Sequence, residues 1–121
     1  MKNVRTYAAN CLKEEAQAIM GLIPLLDDNF DKAVEMMYSC QGKVIVTGVG
    51  KSGHIGAKIA ATLSSTGTPS FFLNPLDAYH GDLGVVTSQD IVVAISNSGQ
   101  TDELLRFVPM LIHMGIPIIG M

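Results

Sequence analysis

Residues 43–58 read KVIVTGVGKSGHIGAK, and few folds accommodate such a string. Val44, Ile45 and Val46 form an uninterrupted apolar run, as a strand buried on both faces requires. The run breaks into Gly48-Val49-Gly50-Lys51-Ser52-Gly53, with three glycines, a lysine and a hydroxyl in six residues. Helical spacing follows at Ile55, Ile59 and Leu63. A strand that turns through glycines into a helix points the first N–H groups outward, at the positive end of the helix dipole. Such a corner suits an anion. A tight turn without ligand would use the same glycines. Lys51 favours the anion, because a cation opposes the dipole at that position unless negative charge is present.

Two known glycine patterns fit this corner in part. A nucleoside-triphosphate loop, G-x-x-x-x-G-K-[ST], requires glycine at position 45, where Ile45 stands. G-x-G-x-x-G is matched by Gly48, Gly50 and Gly53, a pattern of low specificity. A dinucleotide site would also want an acid after the second strand for the ribose, and Asn74 stands there instead.

Composition narrows the function classes. A chain of 121 residues is one domain at most, and 48% apolar with 16% charged residues suits a buried sheet covered by helices. A net charge of −3 supplies no basic footprint for nucleic acid. Cys11 and Cys40 lack metal-ligand spacing and read as small buried thiols of a reducing, cytoplasmic setting. The N-terminal stretch has no apolar signal-peptide core. The most apolar tract, 104–121, is interrupted by Arg106, Pro109, His113 and Pro117, which argues against a membrane span.

Taken in order, Val4, Ala8, Cys11, Ile19 and Ile23 mark one face of a first helix, weakened by Gly21 and closed by Pro24. Asn29 suits the N-cap of a second helix with Phe30, Ala33, Val34, Met37 and Tyr38 inward and Gly42 as its stop. The two could equally cover a partner subunit. After the glycine corner, Ala57, Ala60 and Ala61 allow close helix–sheet approach, and Gly67 ends that helix. A second strand spans Ser70 to Leu73, and residues 74–84 read as irregular. A third strand, Ile91 to Ile95, leads through Ser96-Asn97-Ser98-Gly99-Gln100-Thr101 into a helix with Thr101 as N-cap. Leu104, Leu105, Val108, Leu111 and Ile112 form its apolar set, with Pro109 a kink and Gly115 the end. Ile116 to Ile119 begins a fourth strand. Strands alternating with helices predict right-handed crossovers and a parallel sheet, with ligands beyond the carboxyl ends of the strands. A sheet ending at Met121 would leave a bare hydrogen-bonding edge, so the native protein is expected to continue.

The second loop carries three hydroxyls, Ser96, Ser98 and Thr101, at a strand-to-helix junction. Hydroxyls beside helix N–H groups satisfy phosphate oxygens, although ordinary capping uses the same residues. Two such loops with few arginines suit a small phosphorylated metabolite. Glu103, in the first turn of the following helix, either complements the dipole or acts as a general base on a nearby sugar carbon. Lys51 could steady negative charge developing on oxygen. His80, flanking Gly81 with Asp82, is either a site acid or donor or a loop histidine bonded to backbone. His54 reads as packing or capping, and His113 as a helix C-terminal cation. Three histidines without HxH or HxxxH spacing make no metal site.

The stretches GVGKSGHIGAKIAATLSSTGTPSFFL, HGDLG and ISNSGQTDELL closely resemble the sugar isomerase (SIS) domain, in particular arabinose-5-phosphate isomerases. The resemblance is specific from Gly42 to Met121 and looser before it. It implies a flavodoxin-like three-layer α/β/α sandwich truncated after the fourth strand, with residues 1–121 as the N-terminal part of one SIS domain: a helical lead-in over 1–41 and a βαβ core over 42–121. The implied reaction interconverts D-ribulose 5-phosphate and D-arabinose 5-phosphate through a cis-enediol, without cofactor or metal. That step opens the Kdo pathway to lipopolysaccharide or capsule. The resemblance puts phosphate contacts at Gly50, Ser52, Ser96, Asn97, Ser98 and Thr101, and catalytic roles at Lys51, Glu103 and His80. It also implies a homotetramer, CBS domains downstream, and a further catalytic glutamate and histidine beyond residue 121, so that this chain alone is expected to be inert. Gln100 and Asn74 stand where many members have glutamate and histidine, which leaves the preferred sugar open. A non-catalytic sugar-phosphate sensor is the alternative, since SIS domains also serve as effector-binding modules.

Overall fold

The computed structural model describes residues 3–121. They form two compact units, one ending at Val34 and one running from Glu35 to Met121. In the first, α1 (Val4–Met20) is followed by a 3-10 turn (Ile23–Leu25) and the start of α2 (Asp28–Tyr38). The cap of α2 is Asp27, not Asn29: its Oδ1 accepts the N–H groups of Asn29 at 3.0 Å and Phe30 at 3.2 Å. A carboxylate satisfies these donors and the helix dipole together. The face expected to pack is mostly bare, although Met37 of α2 packs against the core around Val44 and Val46. Val4, Ile19, Ile23, Phe30 and Val34 are all exposed, as is Tyr38, and α1 buries no residue. Cys11 and Cys40 are half-buried, not core thiols.

The second unit is built on four parallel strands: β1 (Val44–Gly48), β2 (Ser70–Phe72), β3 (Ile91–Ile95) and β4 (Ile118–Gly120), in the order β2-β1-β3-β4. β1 is buried along its whole length. Its alternate side chains feed two cores. Ile45 joins Val92, Leu104, Phe107 and Leu111 on one face, while Val44 and Val46 join Ala60, Ile91 and Val93 on the other. The helices that complete those cores are α3 (Lys51–Ser65) on the second face, and α4 (Pro75–Tyr79) and α5 (Asp102–His113) on the first. The result is a three-layer α/β/α arrangement with flavodoxin-like strand order.

Several local expectations change. α3 approaches the sheet through Gly53, Gly56 and Ala60, while Ile55, Ala57 and Ala61 face outward. A Cβ on Gly56 would lie 3.1 Å from Val46 Cγ1, so glycine sets that spacing rather than the outward alanines. Residues 74–84 are not irregular. Asn74 Oδ1 accepts the Leu76 N–H at 2.9 Å and starts α4 with Pro75 in its first position, and a 3-10 turn (Asp82–Val85) follows. On α5, fully buried Phe107 is the central side chain, whereas Leu105 and Ile112 are exposed, because a single stripe of the helix meets the sheet. Pro109 sits inside α5 without ending it. Gly115 (φ 72) does end it, and the Ile116 N–H returns to Leu111 O at 3.0 Å. That closure turns Ile116 into the core and delays β4 to Ile118.

The amino ends of β1 and β3 are clamped by Asp90, which is 1% exposed. Its carboxylate accepts the N–H groups of Lys43 at 2.7 Å and Thr87 at 2.8 Å, and the Lys43 ammonium lies 3.2 Å away. Gly42 belongs to this clamp rather than to a helix stop: a Cβ there would collide with Asp90 Oδ1 and the Gln89 carbonyl. Burial by itself raises the Asp90 carboxyl, but the N–H groups of Thr87 and Lys43 and the Lys43 ammonium outweigh it and hold the group below its ordinary 3.8. Asp90→Ala orphans two part-buried backbone donors and should cost about 1–3 kcal/mol in chemical denaturation. A lowered carboxylate stabilises fully above its unfolded value and loses that contribution as pH falls through its folded value. Asp90→Asn should therefore flatten the stability–pH curve below about pH 4, and a curve parallel to that of the unsubstituted chain would refute the clamp.

Candidate functional site

The strand order reverses between β1 and β3, which are hydrogen-bonded neighbours with Gly48 opposite Ile95. The glycine corner and the hydroxyl loop therefore leave the sheet side by side from the carboxyl ends of adjacent strands. One leads to α3 on one face and the other to α5 on the opposite face. Open α/β sheets hold ligands in the crevice that forms at this reversal.

The first corner is fixed by contact distances. A Cβ on Gly53 would lie 2.8 Å from Gly48 O, so the start of α3 can press against the end of β1 only through glycine. Gly50 (φ 60) holds the N-cap position with no side-chain cap. A Cβ there meets nothing within 4 Å, so its space is open. Lys51, the first residue of α3, is exposed, and Ser52 is half-buried. The amides at this helix start are free of side-chain caps, beside an ammonium.

The second loop is organised by its own hydroxyls. Ser96 Oγ and Thr101 Oγ1 are 2.9 Å apart. The Gly99 N–H donates to Ser96 Oγ at 3.0 Å, and the Gln100 N–H donates to Ser98 Oγ at 3.1 Å. Gly99, with φ 66, makes the bend. Thr101 holds the N-cap position of α5, but its side chain does not cap; the hydroxyl is turned to Ser96 instead. Asn97 and Ser98 are exposed and Glu103 is half-buried in the first turn of α5, next to Asp102.

His80 lies on the segment that follows β2. It is the exposed C-cap of α4, edge-on to the Tyr79 ring at 6.1 Å, and α4 packs against α5. His54 is neither packed nor capping. It is exposed and lines a recess of about 310 Å³ with Gly50 and Asn74. A larger hollow of about 420 Å³ between α5 and β4 is walled by Leu104, Val108 and Ile118 and has no charged group on it. Sequence reasoning passed over Thr47, whose buried Oγ1 has no hydrogen-bond partner among the described residues. The signal was a hydroxyl interrupting an apolar strand one residue before the turn. Among the described residues no three His, Cys, Asp or Glu side chains are grouped to hold a metal, and no helix is long and apolar enough to cross a membrane.

Comparison with known proteins agrees with this architecture. The SIS domain family matches residues 37–121. A Shigella flexneri protein named arabinose 5-phosphate isomerase KdsD is 52% identical over 87% of this chain and 32% of its own length. Its Pseudomonas aeruginosa namesake is 50% identical over 88% of this chain and 33% of its own length. The chain thus spans about a third of the curated relatives it matches. A solved Escherichia coli structure in complex with arabinose 5-phosphate superposes with a TM-score of 0.89 at 43% identity, over 99% of this chain and 65% of that one.

The close approach at Gly53 yields a prediction. Gly53→Ala must push α3 away from the Gly48 carbonyl and should destabilise the chain by about 1–3 kcal/mol in thermal or urea denaturation. Ala57→Ser, on the exposed side of the same helix, should leave the midpoint unchanged. Equal midpoints for both variants would contradict the contact.

Proposed function

The chain belongs to the SIS domain family, and on that premise we propose that it serves an aldose–ketose isomerase interconverting D-arabinose 5-phosphate and D-ribulose 5-phosphate. The observation that carries the reading is the side-by-side departure of the glycine corner and the hydroxyl loop from β1 and β3. Each feeds a helix whose first amides have no side-chain cap. Amides of Lys51 and Ser52, the Lys51 ammonium and the hydroxyls of Ser98 and Thr101 are suited to a monophosphate dianion. Gly50 gives it room to approach; Ser96 and Asn97 shape the loop around it.

With the phosphate anchored, the chemistry is proton transfer between C1 and C2. Glu103 removes the proton from the carbon beside the carbonyl, whose oxygen gains the electron pair and a proton to give a cis-enediol. Returning the proton to the neighbouring carbon completes the exchange, with no net change in electrons. Lys51 stabilises the charge developing on oxygen, and His80 donates to or takes from a sugar hydroxyl. Relatives named for this isomerase and a neighbour structure holding arabinose 5-phosphate support the choice of sugar. Supply of a Kdo pathway and a homotetrameric assembly belong to the same proposal. The exposed Tyr7, Leu12, Ile19 and Leu25 support association between copies.

In the intact gene product, Lys51→Ala and Glu103→Gln should each lower kcat for arabinose 5-phosphate by about 10²–10⁴-fold. Unchanged turnover would reject the assigned roles. Tight binding without turnover in the unsubstituted protein would make it a sensor. Light scattering should give a mass above that of one chain, and substituting Leu12 and Ile19 by glutamate should reduce it; a monomer at all concentrations would reject the assembly.

A further inference from the structure

We propose that Thr47 is a positioning residue: through one buried water its hydroxyl anchors Ser96 and holds the loop after β3 in shape. The consequence for anion binding rests on the phosphosugar reading above; the link itself does not. Thr47 is fully buried, and its Oγ1 has no hydrogen-bond partner among the described residues. A buried hydroxyl in that state is costly. Valine has the same shape, already stands at positions 44 and 46 of this strand, and would avoid the cost. Internal water is the partner that folded proteins commonly supply to such a group.

Register and alternation say where that water stands. β1 directs Val44 and Val46 to one core and Ile45 to the other, so Thr47 faces the side of Ile45, which α5 covers. Directly across the pair is Ala94, and Ser96 is two residues further along. The Ser96 N–H donates to Met121 O at 2.9 Å, so the ladder continues through Ser96 and keeps it on the face of Ala94. Both residues line the hollow beside Leu104 of α5. Two steps of about 3.3 Å along the strand and about 4.8 Å between strands put the Thr47 and Ser96 Cα atoms about 8 Å apart. That diagonal is too long for a direct bond between hydroxyls and suits one bridging water. Ala94 places only a methyl group beside it, which leaves room. Ser96 is already the hub of its loop: its Oγ accepts the Gly99 N–H at 3.0 Å and is 2.9 Å from Thr101 Oγ1. A hydroxyl so engaged keeps one bonding position open. The water fills it, and the loop that carries Ser98 and Thr101 is tied to a strand buried along its whole length.

The test compares Thr47→Val, which removes only the hydroxyl, with Thr47→Ser, which keeps it. NMR of the unsubstituted chain without ligand should show a cross-peak between Thr47 and a long-lived water, and Thr47→Val should shift the Gly99 amide resonance. Titrated with arabinose 5-phosphate and separately with inorganic phosphate, Thr47→Val should bind both about fivefold more weakly. Thr47→Ser should stay within about twofold of the unsubstituted chain. If Thr47→Val leaves both affinities and the Gly99 resonance unchanged, the hydroxyl is an orphan and the proposal fails. Equal weakening by the two variants would reduce Thr47 to packing and overturn it as well. A missing water cross-peak would overturn the link whatever the affinities. Binding of neither ligand by the unsubstituted chain would sink the phosphosugar reading, while the cross-peak and the Gly99 resonance still decide the link. Should Thr47→Val not fold, the cross-peak decides it alone.

Discussion

The parallel pairing of β1 with β3 is the constraint on which the rest of the unit depends. Its register, Val44 with Ile91 through Gly48 with Ile95, runs the full length of both strands. A shift by one residue would exchange Ile45 and Val46 between the two cores and move every packed side chain to the wrong face. The same shift would separate the two loops along the strand direction by about 3.3 Å. Core packing and loop apposition are thus two consequences of one register, and selection for a packed core also fixes the crevice.

The treatment of helix starts within the α/β unit separates structural from candidate functional corners. Asn74 caps α4 with its own side chain, as an ordinary helix start requires. α3 and α5 have no such cap, although Ser52, Ser98 and Thr101 are within a few residues. Leaving a cap unmade costs about 1 kcal/mol per helix. At α5 the hydroxyls that could offset that cost instead bond within the loop, Ser96 to Thr101 and Ser98 to the Gln100 amide. The loop is held in shape while the helix amides stay available. Local stability is given up at the two corners that leave β1 and β3 side by side.

Much of this was legible in the sequence because its signals are local. The apolar run at 44–46, the glycines of the corner, and Gly67 and Gly115 as helix ends are read from residues whose backbone demands are nearly independent of context. Loop apposition followed from a general rule about parallel sheets. What sequence could not give was anything set by tertiary distance. Gly42 looked like a helix stop because glycine often ends helices, but its reason is Asp90, 48 positions away along the chain. Phe107 was passed over in favour of Leu105 and Ile112, because the stripe that meets a sheet depends on how the helix is rotated. His54 was taken for packing, and only the fold shows that its neighbours at Gly50 and Asn74 leave it a recess.

The two ends of the sheet divide stability and chemistry between them. At the amino end, Asp90 ties the start of β3 to that of β1 through a buried carboxylate that holds Thr87, three residues away, and Lys43, 47 residues away. At the carboxyl end Lys51 is exposed, and Thr47 Oγ1 is buried one residue before the corner without a hydrogen-bond partner among the described residues. Unsatisfied groups cost most where water is excluded, so a fold can carry them only if its binding energy is concentrated elsewhere. A rigid amino end supplies that, because strands pinned at one end splay little at the other. The clamp and the crevice thus stand at opposite ends of the same β1–β3 pair.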